Sequence, residues 1–194
     1  MKFQAGLAKA ANALTEFRLL NNSAPIVVGN PDDNASYLQI CQVMNTSSPS
    51  GGTPLCRHIN EIAAQVRAME SQLRSNGHKA AIIICTDGES SDGDVAAALR
   101  PLHSLPVWVV IRLCTDEESV AHYWNQVDDQ LELDVEILDD LVSEAKEVHE
   151  KNPWFTYGEP LHLLRQFGIN IKELDMLDEK ALTADQIRDV CAIM

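Results

Sequence analysis

The chain has 194 residues, of which 45% are hydrophobic and 23% are charged, as is typical of a folded domain with a sizeable core. Its 15 lysines and arginines against 29 aspartates and glutamates give a net charge of −14, which argues against a surface that binds nucleic-acid phosphates. No apolar run approaches the roughly 20 residues of a membrane helix, and the first ten residues lack the apolar core of a signal peptide. We therefore expect a cytoplasmic protein that binds neither nucleic acid nor membranes.

The acidity is concentrated in the second part of the chain. Residues 1–110 carry a net charge of −1, and residues 111–194 carry −13. Such a surface either attracts a basic partner or cations, or is a solvated face that aids solubility.

The five cysteines form no CxxC pair and stand among apolar neighbours. They are therefore predicted to be small, reduced core residues rather than zinc ligands or disulfides.

The first part of the chain predicts two helices around a hairpin. The first helix has apolar residues at helical spacing, namely Phe3, Leu7, Ala10 and Leu14. Two short strands, Glu16–Leu20 and Pro25–Val28, are joined by turn-forming residues and predict a hairpin. The second helix covers Asn34–Met44, and its spacing points Leu38 and Cys41 inward.

The middle of the chain alternates helices with strands. The predicted elements are a helix over 55–74, a strand over Ala80–Thr86, a helix over Asp94–His103, a strand over Pro106–Leu113, a helix around Val120–Val127 and a weaker strand over Leu133–Leu138. The longest helix has one continuous apolar stripe, made by Leu55, Ile59, Ile62, Val66, Met69 and Leu73. Because the run Ala80–Thr86 is apolar without alternation, we expect it to be buried on both faces, as in a parallel sheet.

This alternation predicts an α/β fold with a doubly wound, mostly parallel sheet, an antiparallel edge hairpin and a helical C-terminal extension. We predict a first domain over residues 1–138 and an acidic helical extension over 139–194. In the extension, helical apolar faces occur at Leu141, Val142, Ala145 and Val148, and again at Leu161, Leu164 and Phe167. Thr183 and Gln186 have the spacing of a capping box before a last helix.

Polar residues follow the first buried strand, at the edge where open α/β sheets bind ligands. Asp87 directly follows that strand, and Thr53 lies just before the start of the long helix. A carboxylate and a hydroxyl are hard oxygen ligands suited to Mg²⁺, Mn²⁺ or Ca²⁺. Each also has a plainer interpretation, because a lone threonine commonly caps a helix and an Asp-Gly pair commonly forms a turn. Residues that could support the two ligands are Ser50, Gly52, Gly88, Glu89 and Asp92.

The loop Gly51–Leu55, the helix after it and the strand with its loop over Ile82–Glu89 together resemble von Willebrand factor A (vWA) domains. The resemblance covers about 140 residues, including the hairpin and the order of helices and strands. It implies that Thr53 and Asp87 correspond to the threonine and an aspartate of that family's metal-ion-dependent adhesion site (MIDAS). It also implies a module that binds proteins through a divalent cation, with the ligand's carboxylate completing the coordination.

One part of the vWA pattern is missing from this sequence. The family's first metal loop, Asp-x-Ser-x-Ser at the end of its central strand, has no counterpart, since Asp33–Ser36 follows no suitable strand. We expect a vWA domain truncated at its N-terminus, with a cation site that is weak or non-functional because one carboxylate and one hydroxyl remain. The absent strand would leave two sheet edges unpaired, so either a partner supplies a strand or the protein self-associates.

An aromatic loop follows in the helical extension. Its residues are Trp154, Phe155 and Tyr157. They either contact a hydrophobic or proline-rich peptide or pack against the helical extension. The six histidines show no spacing typical of zinc hydrolases.

The sequence thus favours a protein–protein interaction module and predicts no catalytic residue. The alternative is a metal-dependent hydrolase or phosphatase that uses Asp87, although no phosphate-binding loop accompanies this residue. A third interpretation is a structural domain that binds no ligand.

Overall fold

The computed structural model is a mixed α/β protein with one two-stranded and one three-stranded sheet among its described residues. It describes residues 1–21, 24–30, 32–48, 50–115, 117–131, 135–169 and 171–193, without the side chains of residues 129, 192 and 193. Two compact units are present: residues 1–58 with 90–93, and residues 59–89 with 94–194. The helical region 139–194 falls in the same unit as the three-stranded sheet. The predicted boundary after residue 138 stays a prediction.

The first unit contains two helices and a hairpin. Its elements are α1 (Lys2–Ala10), β1 (Thr15–Phe17), β2 (Ile26–Val28), α2 (Asn34–Thr46) and the first turn of α3 (Leu55–Ser75). The two strands pair antiparallel with Thr15 opposite Val28, which confirms the hairpin with strands shorter than predicted. The predicted turn residues 22–23 lie outside the described residues.

The core of the first unit is small. Its buried residues are Ala5, Phe17, Ile26, Val28 and Ile40. The predicted inward faces of its helices are wrong in part, because Phe3 and Leu14 are exposed and Leu38 is 63% exposed. In α1 the buried residues are Gln4, Ala5 and Ala8, and small alanines let this helix approach α2 closely.

Tight backbone geometry joins α1 to the hairpin. Gly29 has φ of +112°, and a Cβ at this position would lie 2.1 Å from the carbonyl oxygen of Ala13. Only glycine can take this conformation at such a close approach.

In the turn before α2, the Asp33 carboxylate accepts the backbone N–H groups of Ala35 and Ser36 at 2.9 and 3.1 Å. Asp33 therefore caps α2.

The second unit contains a parallel sheet and most of the helices. Its strands are β3 (Ala80–Thr86), β4 (Val107–Leu113) and β5 (Val135–Leu138), in the order β3-β4-β5. Its helices, besides the rest of α3, are α4 (Val95–Leu99), a 3₁₀ helix (Arg100–Ser104), α5 (Glu118–Asp129), α6 (Leu141–Lys151), α7 (Glu159–Gln166), α8 (Lys172–Asp175) and α9 (Ala184–Ile193). The strands and helices alternate as predicted. The helix predicted over Asp94–His103 becomes 3₁₀ near Pro101, because proline has no N–H for an α-helical bond.

The sheet is buried unevenly. β4, the middle strand, is buried at six of its seven positions. The prediction that Ala80–Thr86 is buried on both faces is wrong, because Ala81 and Cys85 are exposed. Within the described residues β3 pairs only with β4, so it is an outer strand of this sheet. An outer strand has neighbours on one side only, and one of its faces is less fully covered.

A second core lies under the C-terminal helices of this unit. Its buried residues are Val148, Phe155, Tyr157, Leu174, Met176, Leu177, Leu182 and Val190. The predicted faces are again wrong in part, since Val142 is 75% exposed and Leu164 is also exposed.

The capping box is confirmed: Gln186 Oε1 accepts the Thr183 N–H at 3.0 Å, and the Gln186 N–H donates to Thr183 Oγ1 at 3.4 Å. Leu133 of the weak strand and Met194 of the last helix lie outside the described residues. Where the structure describes the chain, no helix is both long enough and apolar enough to cross a bilayer.

Candidate functional site

The loop that carries Thr53 is held in place by a side chain from the hairpin region. Asn21 Nδ2 donates to the carbonyl oxygens of Ser50 and Gly52, at 2.6 and 2.9 Å. Gly51, between them, has φ of +87°, in the left-handed region that favours glycine. The sequence Ser-Gly-Gly-Thr therefore forms a defined turn, with Ser50 and Gly52 exposed and Thr53 half-buried.

Two hydrogen bonds join this loop to Ser91. The Thr53 N–H donates to Ser91 Oγ at 2.8 Å, and the Ser91 N–H donates to the Thr53 carbonyl at 2.9 Å. The Ser91 side chain lies so close to the loop that a Cβ on Gly52 would be 2.8 Å from Ser91 Oγ. The first glycine-rich loop and the polar segment 90–93 therefore form one structural element.

Asp92 caps the long helix. One carboxylate oxygen accepts the Cys56 N–H and the other accepts the Arg57 N–H, both at 2.9 Å. Ser90 Oγ also donates to Asp92, at 2.6 Å. These hydrogen bonds, with that of Ser90 the largest, lower the pKa of Asp92 to about 2. The capping role considered for Thr53 is thus performed by Asp92, which lies beyond the helix in sequence.

Replacing Asp92 with alanine is expected to loosen the first turn of α3. Two N–H groups would lose their carboxylate acceptor, so amide exchange at residues 56 and 57 should become roughly fivefold faster. Hydrogen-exchange mass spectrometry of a peptide covering the start of the helix would measure this change. The exposed Glu89 serves as a control, and Glu89→Ala should leave these amides unchanged. Equal exchange in wild type and Asp92→Ala would contradict the capping role.

Asp87 lies at the carboxyl end of β3 in the second unit, where its side chain is exposed. The turn after it is closed locally: Thr86 Oγ1 donates to the Gly88 carbonyl at 2.9 Å and accepts the Gly88 N–H at 3.3 Å. The Gly88 carbonyl also accepts the indole N–H of the fully buried Trp124 at 3.3 Å. Asp87 and the exposed Glu89 thus flank a turn anchored to α5.

Thr53 belongs to the first unit and Asp87 to the second. A shared cation site on these two residues therefore stays a prediction. No group of three or more histidine, cysteine, aspartate or glutamate side chains suited to a metal ion occurs among the residues that the structure describes.

The aromatic loop is only partly exposed. Phe155 and Tyr157 are buried in the C-terminal core, which matches the alternative of packing against the helical extension. Trp154 is 43% exposed, and its indole N–H donates to Asn152 Oδ1 at 3.2 Å. Contact with a peptide therefore stays a prediction, for which Trp154 offers the exposed surface.

The prediction of cysteines as core residues is wrong for three of the five. Cys85, Cys114 and Cys191 are exposed, Cys41 is half-buried and Cys56 is buried, and none of the five forms a disulfide within the part of the chain that the structure describes. Cys85 and Cys114 lie near the carboxyl ends of adjacent strands. The sequence held one signal for this pair, since both cysteines stand near the ends of predicted strands and the carboxyl ends of parallel strands meet at one edge of the sheet.

A buried ionic cluster in the second unit was missed altogether. Arg165, which is 2% exposed, donates to three carboxylates: Glu136 at 2.9 Å through Nε, Glu144 at 2.8 Å and Asp178 at 2.8 Å. Burial, opposed by the Arg165 charge, raises the pKa of Glu136 to about 7 and that of Glu144 to about 8. The helical apolar pattern of residues 161–167 gave no sign that the arginine lies inside.

Comparison of the chain with protein-family models, with curated proteins and with solved structures gave no match in any of the three.

Proposed function

We propose that this protein is a protein–protein interaction module with a vWA-like, doubly wound architecture. The observation that carries the proposal is the pair of hydrogen bonds, 2.8 and 2.9 Å, between Thr53 and Ser91. They join the glycine-rich loop Gly51–Leu55, which resembles the family's second metal loop, to the polar segment 90–93. A rigid polar surface of this kind suits recognition of a partner.

The parallel sheet supports the same architecture. β3, β4 and β5 are parallel neighbours, and each is followed in sequence by a helix. In the described sheet β3 and β5 each pair on one side only. A partner's extended segment, or a second copy of the chain, can add a strand to such an edge.

The proposed partner contact includes a divalent cation. Thr53 would supply a hydroxyl and Asp87 a carboxylate to Mg²⁺, Mn²⁺ or Ca²⁺, with water and an acidic side chain of the partner completing the shell. Asp92 is less suited to this role, because both of its oxygens already accept backbone N–H groups. Two protein ligands give weak affinity, so the cation is held well only when the partner is present. A cytoplasmic location belongs to the proposal, since free exposed thiols fit a reducing compartment.

Titration with Mn²⁺ tests the cation site. We expect a weak signal in calorimetry, with a dissociation constant on the order of 1 mM. Asp87→Asn and Thr53→Ala should each abolish it. Glu150→Gln, which changes an exposed carboxylate on α6, should leave it unchanged. Circular dichroism of each variant would verify that it is folded.

The partner contact is tested with a fluorescent peptide rich in glutamate. Its binding should increase with Mg²⁺ and be reversed by EDTA, and Asp87→Asn should remove the Mg²⁺ dependence. Peptide binding that neither EDTA nor Asp87→Asn changes would contradict the cation's role. Turnover of phosphate or ester substrates that Asp87→Asn abolishes would favour the hydrolase instead, and no binding of Mn²⁺ or peptide would favour a structural domain.

A further inference from the structure

Cys85 and Cys114 lie on the same face of the parallel sheet. In the β3–β4 register Cys85 is opposite Arg112, and Cys114 follows Arg112 by two residues, so all three side chains point to one side. The Cys114 N–H donates to the Thr86 carbonyl at 2.8 Å, which continues the ladder one residue past the end of β4. Both cysteines are exposed, and both belong to the second unit.

Arg112 places a positive charge beside Cys114. Its Nη1 atom lies 3.9 Å from Cys114 Sγ. A neighbouring arginine favours the thiolate of a cysteine, which is the form that acts as a metal ligand.

We propose that Cys85 and Cys114 form a dithiol site that binds a soft centre needing two sulfur ligands, such as Cu(I) or a trivalent organoarsenical. Thiolate sulfur selects soft centres over Mg²⁺ or Ca²⁺. Among the described residues no third histidine, cysteine, aspartate or glutamate joins the pair to make a metal-holding group. That shortage disfavours the four-coordinate site that Zn²⁺ prefers. Cu(I) and trivalent organoarsenicals can be held by two sulfur ligands, which is the number that Cys85 and Cys114 supply.

A bridging centre fits the strand geometry better than a direct disulfide does. Neighbouring strands about 4.8 Å apart and an offset of two residues place the two Cα atoms about 8 Å apart. A disulfide requires less than about 7 Å, so it would form only if the backbone moved. An atom held between the two sulfurs needs no such movement.

The binding steps balance without an external oxidant. Cu(I) forms two Cu–S bonds, and the protons of the two thiols pass to solvent. Phenylarsine oxide forms two As–S bonds, and its oxygen leaves as water with the two thiol protons. Sulfur, copper and arsenic keep their oxidation states in both cases.

Intact-protein mass spectrometry with phenylarsine oxide, in the presence of excess glutathione, tests the site. A monothiol competes poorly with a dithiol, so wild type should retain one arsenical per chain. Cys85→Ser and Cys114→Ser should each lose it. Cys191→Ser, which removes an exposed thiol on α9, is the matched control and should retain it. An adduct that persists in either of the first two variants, or no adduct on wild type, would overturn the proposal.

A second measurement keeps the test independent of folding defects in the serine variants. Cu(I) should be withdrawn from a chromogenic Cu(I) chelator by wild type at a ratio of one per chain, and Cys85→Ala and Cys114→Ala should withdraw at least tenfold less. Failure of the dithiol site leaves the proposed partner contact untouched, because that contact is measured with Mg²⁺ and a peptide.

Discussion

Arg165→Met is expected to lower the free energy of unfolding of the second unit by about 3–5 kcal/mol, because removing this cation leaves the buried carboxyl oxygens of the cluster without their hydrogen-bond donor. Arg165 donates to Glu136, Glu144 and Asp178, and it is the cation that joins all three. It also donates to Tyr157 Oη at 3.2 Å. Methionine keeps much of the aliphatic length of arginine but supplies none of these hydrogen bonds.

Tryptophan fluorescence during urea unfolding would measure the effect of Arg165→Met. Trp108, Trp124 and Trp154, the three tryptophans of the chain, all belong to the second unit, so the signal reports on that unit. Arg188→Met is the control: Arg188 pairs with Asp185 on the surface, where such pairs contribute about 0–1 kcal/mol. If the two variants unfold at the same urea concentration, the cluster does not stabilise the unit as described.

Glu144→Gln is expected to become more stable relative to wild type as the pH rises from 5 to 9. Burial raises the pKa of Glu144 to about 8, so the folded protein holds this proton more tightly than the unfolded chain does. Its contribution to stability is therefore complete below pH 4.5 and is lost as the pH rises through 8. Since one pKa unit corresponds to about 1.4 kcal/mol, the expected difference is a few kcal/mol.

Glutamine reproduces the protonated form of Glu144. Its amide oxygen can accept the Asp139 N–H, which Glu144 accepts at 3.0 Å, and its amide N–H groups can donate to Asp178 as the protonated acid does. His162, whose pKa is lowered, and Glu136, whose pKa is raised to about 7, are present in both proteins, so the comparison isolates the change at position 144. Urea unfolding at several pH values would measure the difference between variant and wild type. A difference that stays constant from pH 5 to pH 9, or that favours wild type at high pH, would show that Glu144 is ionised in the folded state.

Local patterns predicted most of the elements. The apolar stripe of residues 55–74 matches α3, and the apolar runs at 80–86 and 106–113 match β3 and β4. The hairpin and the Thr183–Gln186 capping box are also present. These succeed because helical period, strand length and caps depend on residues close together in sequence.

The same patterns predicted burial less well. Phe3 has the spacing of a core residue and is 49% exposed, while Gln4 on the same helix is buried. Periodicity identifies an apolar face, but the neighbouring elements decide which side of a helix is covered. The candidate site also depends on contacts between residues far apart in sequence. The sequence singled out Thr53 and Asp87, yet it gave no reason to assign the cap of α3 to Asp92, which is 36 residues from Cys56.

By itself, the sequence determined the alternation of helices and strands, the acidic charge and the polar loops around Thr53 and Asp87, because each is a property of neighbouring residues. Only the tertiary structure decided that Arg165 lies inside among three carboxylates and that Cys85 and Cys114 share an exposed face. The physical reason is that burial, charge pairing and thiol pairing depend on contacts between residues far apart in the chain. Local spacing does not specify those contacts until the strands are in register and the helices are packed.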